Sequence, residues 1–201
     1  DPLKKKYWRI LSKCNFQQED YSSAASNLEI AYYIEAPEDP SQWKQLADMY
    51  LYLNAPLKAL QFYKRGCGED SSAKEYEKVA DIYAQALRYG KAVENMDRAL
   101  EKEANAERYL KKGNYYYEQR NFSKAVDCFQ KSVKLNSSLG KAHLLKGFAA
   151  CEIDRWELAK QSFQDASGFD QYRSWAKGSL AFVQDILEAK KATQEMVLAR
   201  K

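Results

Sequence analysis

Apolar residues recur along most of this chain at steps of three and four, the spacing that lays one stripe along a helix. The striped stretches are about a dozen residues long, and short polar turns such as Gln119-Arg120-Asn121 separate them. The pattern predicts pairs of helices from one end to the other, an all-α chain.

The pairs repeat. An aromatic residue precedes Ala by three positions at Tyr21/Ala24, Tyr89/Ala92, Phe122/Ala125 and Trp156/Ala159, and Pro56/Ala59 takes the same place. Four residues beyond each Ala stands a large apolar side chain: Leu28, Tyr63, Met96, Phe129 or Phe163. Three further on comes a small one: Ala31, Gly66, Ala99, Ser132 or Ala166. Upstream lie Ser12, Ala47, Ala80, Gly113 and Gly147, with Trp8, Trp43, Tyr76, Tyr109 and His143 one turn before them. Successive copies are 35, 33, 33 and 34 residues apart. One helical pair cannot bury its stripe alone, so the copies must stack. The small residue of the first helix is expected to face the Ala of the second, where neither holds the backbones apart.

This register resembles the tetratricopeptide repeat, over about residues 5–173. The fourth copy carries Tyr109, Gly113, Tyr116, Phe122, Ala125 and Phe129; the fifth carries His143, Gly147, Ala150, Trp156, Ala159, Phe163 and Ala166. Lys112 and Lys146 stand where that family prefers Leu, Asn15 replaces an aromatic, and Pro37 is the nearest approach to its closing Pro. The resemblance implies a right-handed α-solenoid of about five helix-turn-helix repeats plus a C-terminal capping helix. Its repeats would span 5–39, 40–72, 73–105, 106–139 and 140–173 within a 1–171 repeat region, followed by a cap and polar tail at 172–201.

The two ends differ. Leu3, Tyr7, Ile10 and Cys14 give the first helix an apolar face where a terminal repeat would turn polar groups to water. Further repeats upstream or a covering partner would account for it. The chain opens Asp1-Pro2, which reads as a mature form or an excised fragment. At the other end, Trp175, Phe182, Val183, Ile186 and Leu187 share one helix that is expected to seal the last repeat. Met196-Val197-Leu198 reads as a fraying end.

Composition and charge then narrow the function. With 45% apolar and 30% charged residues the chain is too hydrophobic to stay disordered. No stretch approaches the roughly 18–20 continuous apolar residues of a membrane span, so direct membrane insertion is not expected. The net charge is +4, and residues 1–13, with Lys4, Lys5, Lys6, Arg9 and Lys13 against Asp1, carry all of it. A nucleic-acid binder would spread its basic excess over a face, so nucleic acid is disfavoured. Four Cys are too few for a disulfide scaffold and form no CxxC pair. Cys128 and Cys151 fall in neighbouring helices, either as a bridge or as two small core residues, the more common use of Cys. His143 sits in an aromatic slot of the repeat, and no phosphate loop, HExxH or GxSxG element occurs. Neither catalysis, cofactor nor metal is expected.

What remains is the concave surface that first helices line in such solenoids. The basic start would come from Lys6, Arg9 and Lys13, with Phe16. Read by register, the chosen partner-binding residues are Lys44, Asp48, Tyr52, Lys78, Asp81, Leu110, Lys111, Asn114, Tyr117, Lys141, Leu144 and Phe148. This groove would run from basic, through mixed charge, to an apolar floor, and a peptide with an acidic end and hydrophobic anchors would complement it. Tyr52, Tyr117, Leu144 and Phe148 are the expected anchors, since rigid apolar side chains in pockets dominate binding energy. The clamp by which chaperone-binding relatives grip a terminal carboxylate is incomplete, because Asp48 stands where Asn is needed and Glu107 follows downstream.

Protein–protein interaction is therefore the expected function, with self-association through the apolar first helix as the alternative. The runs at 46–60 and 174–186 and the fourth copy are also similar to bacterial tetratricopeptide proteins found beside TonB–ExbB–ExbD components. That resemblance implies a periplasmic accessory role.

Overall fold

The computed structural model describes residues 4–68 and 71–199; Leu3, expected in the first apolar face, lies outside them. Among the described residues there are eleven helices and no strand. The chain divides into two compact units, Asp1–Ala99 and Leu100–Lys201. The first holds the hairpins α1 (Lys5–Gln17) with α2 (Tyr21–Ile34), and α3 (Pro40–Tyr52) with α4 (Pro56–Arg65). It also holds α5 (Ala73–Gln85) and most of α6 (Tyr89–Lys102). The second holds α7 (Ala106–Glu118) with α8 (Phe122–Leu135), α9 (Gly140–Cys151) with α10 (Trp156–Ser167), and the long α11 (Arg173–Ala199).

The five hairpins share one turn. Glu19, Asn54, Leu87, Arg120 and Asp154 all have φ between 55° and 62°, and they are spaced like the repeats. The next residue in each case donates its N–H back to a carbonyl of the first helix: Asp20 to Asn15, Ala55 to Tyr50, Arg88 to Tyr83, Asn121 to Tyr116 and Arg155 to Ala150, at 2.8–2.9 Å. A left-handed residue closing a helix in this way satisfies carbonyls that would otherwise lack donors. The helix starts are capped as their sequences suggest. Asp20, Asp39, Asn105 and Asn121 accept from backbone N–H groups, and Ser72 with Glu75 forms a reciprocal capping box.

Packing follows the repeat, with one difference. Ala24, Ala59, Ala92, Ala125 and Ala159 are fully buried, as are Met96, Phe129 and Phe163. The small residue of the first helix was expected against that Ala. In the fourth and fifth copies it makes room for the large ring one turn on. A Cβ on Gly113 would lie 2.5 Å from Phe129, and one on Gly147 2.5 Å from Phe163. Only a bare backbone lets a phenyl ring approach so closely. The first copy keeps the expected contact, since the Ser12 hydroxyl donates to the Ala24 carbonyl at 2.7 Å.

His143 fills its aromatic slot by stacking on Phe169 at 5.9 Å, with Nε2 3.0 Å from the Ser137 carbonyl. Cys128 is buried, Cys151 is half-buried, and both are thiols. Burial pushes the Cys151 thiol up to about 11.

The sealing stripe of α11 keeps Val183 and Leu187 of the expected one and differs at Trp175 and Phe182. Ala176, Leu180, Val183 and Leu187 pack into the core of the second unit, whereas Trp175 and Phe182 stand 70% and 59% exposed. The helix also continues through the polar segment to Ala199, leaving Met196, Val197 and Leu198 exposed. At the other end, Tyr7, Ile10, Leu11 and Cys14 of α1 are exposed. Leu46 and Val79, which occupy the Leu11 register in later copies, are buried. No helix among the described residues is long and apolar enough to cross a membrane.

Candidate functional site

Each unit presents a face of first helices, and the residues chosen by register fall on it unequally. In the first unit three of the charged candidates are paired within the protein. Lys44 donates to Glu75 at 2.5 Å, and Lys78 lies 3.1 Å from Asp48. Asp81 is half-buried. The Lys44 ammonium, together with the Ser72 backbone N–H, holds the Glu75 carboxyl down at about 2. Lys44 and Asp48 are thus engaged with partners inside the protein, and a carboxylate clamp at these positions is not assembled.

Tyr52 behaves differently. It is 72% exposed at the end of α3, and its ring meets Tyr21 edge-on at 5.1 Å; Tyr21 meets Phe16 in the same way at 5.2 Å. These three rings, with Met49, Gln45 and Asp48, line a cleft of about 440 Å³. Phe16, Gln45 and Met49 also line an adjoining hollow of about 350 Å³ that reaches Arg9 and Lys13. A third, of about 450 Å³, continues from Arg9 and Lys13 to Lys6. An aromatic cleft therefore opens into a basic strip within one unit. Phe16 belongs to the groove expected by register, whose apolar floor is expected at the far end of the array; Tyr21, expected only as the opening aromatic of a second helix, joins Phe16 in this cleft. The signal for Tyr21 was its place at the first position of α2, beside the turn.

In the second unit the apolar candidates divide. Leu110 and Leu144, at 6% and 2% exposure, belong to the core, so they do not form an open floor. Tyr117 is half-buried, edge-on to Phe122 at 5.1 Å, and burial raises its phenol above the ordinary value. Phe148 is half-buried, edge-on to Phe163 at 5.2 Å. Lys111 and Asn114 are half-buried and Lys141 is exposed. Trp175 and Phe182 lie 34 residues after Lys141 and Phe148, and α11 packs on α10 as α9 packs on α8. In register these two exposed rings, expected in the seal, continue the first-helix face. Among the described residues no cluster of His, Cys, Asp or Glu is arranged to hold a metal ion.

The family model described as tetratricopeptide repeat matches residues 106–139, the copy formed by α7 and α8. Compared with curated proteins by sequence, the chain matches none. Solved structures share the fold at low identity. A crystal structure of MamA protein is 17% identical, covering 85% of this chain and 93% of that one, with a TM-score of 0.67. YrrB, described as a TPR protein with an unusual peptide-binding site, is 12% identical, covering 92% and 90%, with a TM-score of 0.65. The first TPR of Spaghetti (RPAP3), bound to the HSP90 peptide SRMEEVD, is 19% identical and covers 58% of this chain and 94% of that one, with a TM-score of 0.55. The protein is an all-α repeat protein of the tetratricopeptide solenoid fold. Its fourth copy carries the sequence signature of that repeat as well.

Proposed function

We propose that this protein is a non-enzymatic interaction scaffold that binds a segment of a partner protein on its first-helix face. The observation that carries the reading is the open cleft walled by Phe16, Tyr21 and Tyr52, since exposed rings around a concavity suit an apolar anchor residue. Two proteins of the same fold, YrrB and the RPAP3 repeat, are described with a peptide-binding site or a bound peptide, which supports it.

The test is to select peptides from a random display library on the intact chain and measure the affinity of an enriched one. Tyr52→Ala, or Tyr117→Ala with Phe148→Ala, is expected to weaken it about tenfold or more while helicity is retained. Affinity unchanged in all three substitutions, with the protein still helical, would place the partner elsewhere.

The exposed Tyr7, Leu11 and Cys14 face supports a second reading, self-association through α1. Light scattering separates the two, because a monomer at tens of micromolar contradicts self-assembly. The narrower role of a periplasmic accessory to a TonB-type system rests on the similar runs at 46–60 and 174–186 and on the fourth copy. Cell fractionation, with the chain recovered outside the periplasm, would remove it.

A further inference from the structure

The cleft of the first unit has more character than a generic groove. Lys6, Arg9, Lys13 and Phe16 are spaced three, four and three residues apart, so they follow one face of α1. That face leads from the basic strip to the aromatic cleft, and the three hollows along it share lining residues. Among the described residues Lys6, Arg9 and Lys13 form no ion pair, while nearby charges are already engaged: Lys5 with Glu35 at 3.3 Å, and Asp48 with Lys78 at 3.1 Å. Among the described residues Asp48 is the one carboxylate lining the aromatic cleft, and Lys78 offsets it. The strip is therefore positive with an apolar terminus.

We infer that this face of the first unit binds an extended peptide segment in which one large aromatic residue is flanked by a short acidic run. The inference rests on the proposed reading of the first-helix face as a peptide site and names what that peptide must contain. At a helix rise of 1.5 Å per residue, Lys13, Arg9 and Lys6 lie about 4.5, 10 and 15 Å along the axis from Phe16. An extended peptide advances about 3.3 Å per residue, so the acidic groups fall one, three and four to five residues from the anchor. The anchor enters between Tyr52 and Phe16 against Tyr21, where edge-to-face contact with a further ring adds to burial. No terminal carboxylate is required, because Lys44 is held by Glu75 rather than aimed at a ligand. A single-stranded nucleic acid, the other polyanion that uses aromatic rings, is less well matched. The rings stand at 74° and 77° to their neighbours and enclose a cleft, where successive bases would need exposed ring faces side by side.

The experiment uses the full chain and a dye-labelled peptide with one phenylalanine beside five residues rich in glutamate, amidated at its C-terminus and made in both orders. Fluorescence anisotropy is expected to show saturable binding in one order. Tyr52→Ala, the paired change Arg9→Ser with Lys13→Ser, and replacement of the peptide's glutamates by glutamine should each weaken it about tenfold or more. Tyr52 and both cations are exposed, so these variants fold, and circular dichroism checks that they do. Binding that ignores Tyr52→Ala overturns the inference by reducing it to charge attraction. A uridine oligonucleotide that binds tighter than either peptide, with the same dependence on Tyr52, overturns it in favour of nucleic acid. If neither peptide binds while a library-selected peptide does, the acidic-aromatic assignment falls and the proposed groove function stands.

Discussion

Lys44 of α3 donates a 2.5 Å hydrogen bond to Glu75, the residue that completes the capping box of α5. One carboxylate thereby closes a helix terminus and ties two successive first helices of the same unit together. It also leaves Lys44, expected in the groove by register, occupied from within.

Glu75→Gln keeps the shape needed for the box and removes the charge that Lys44 meets. A loss of about 1 kcal/mol at neutral pH is expected from urea denaturation, the range of a partly exposed ion pair, because glutamine still closes the box. Because Glu75 is held at about 2 against an ordinary 4.5, its contribution is present above pH 4.5 and fades as pH falls toward 2. The variant should lose that slope. A wild-type profile and a variant profile that run parallel below pH 4.5 would disprove the linkage.

Leu87 occupies a left-handed turn position with φ 57° while its side chain is largely exposed. A branched, bulky residue in that region crowds the following carbonyl, at a cost of roughly 1–2 kcal/mol. Asn54 and Asp154 fill the same turn with residues that tolerate it. Leu87→Asn is expected to raise stability by about 0.5–1 kcal/mol, seen as a higher urea midpoint at unchanged slope.

Gly147 and Gly90 make a matched pair. A Cβ at Gly147 would meet the fully buried ring of Phe163 at 2.5 Å, whereas nothing lies within 4 Å of one at Gly90. Both changes to Ala gain up to about 1 kcal/mol of helix propensity. Only Gly147→Ala also forces the core apart, at about 1–3 kcal/mol. Thermal denaturation should therefore move in opposite directions, down for Gly147→Ala and up for Gly90→Ala.

Lys146 is 4% exposed in a position that holds Leu46 and Val79 in earlier copies, and among the described residues its ammonium reaches only Gln130, at 3.3 Å. Burial lowers its pKa, with Asp165 opposing the shift. A buried charge with so little compensation destabilises, so Lys146→Met is expected to stabilise by about 1 kcal/mol or more. The folded chain releases this proton at a lower pH than the unfolded one. Wild-type stability should consequently gain on the variant as pH rises toward the ordinary lysine value of 10.5. A gap that stays constant with pH would mean that Lys146 is not the cause.

The repeat was legible because its signal is volume at fixed spacing: Ala125, Phe129 and Gly113 can be read as small, large and small without knowing what touches them. What touches them was not legible. That Gly113 admits the Phe129 ring depends on how two helices slide past each other, and composition is nearly silent on that. The groove was half legible for the same reason. Register placed Tyr52 and Leu144 on one nominal face, yet a neighbouring helix decides which remains open, and Leu144 is buried while Tyr52 is not. Trp175 and Phe182 misled because a hydrophobic residue near the end of an array reads as a seal, although Ala176 and Leu180 join the expected Val183 and Leu187 in sealing it. The left-handed residue at each turn left no trace, since Glu, Asn, Leu, Arg and Asp share no chemistry that marks it.

The most direct test is to find which face of the helices a bound segment touches. A benzophenone side chain placed at Tyr52, at Tyr117, or at the exposed second-helix positions Ser123 and Lys124 would be irradiated with a library-selected peptide. Adducts at Tyr52 or Tyr117 and none at Ser123 and Lys124 are the expected result. Adducts confined to Ser123 and Lys124 would contradict binding on the first-helix face.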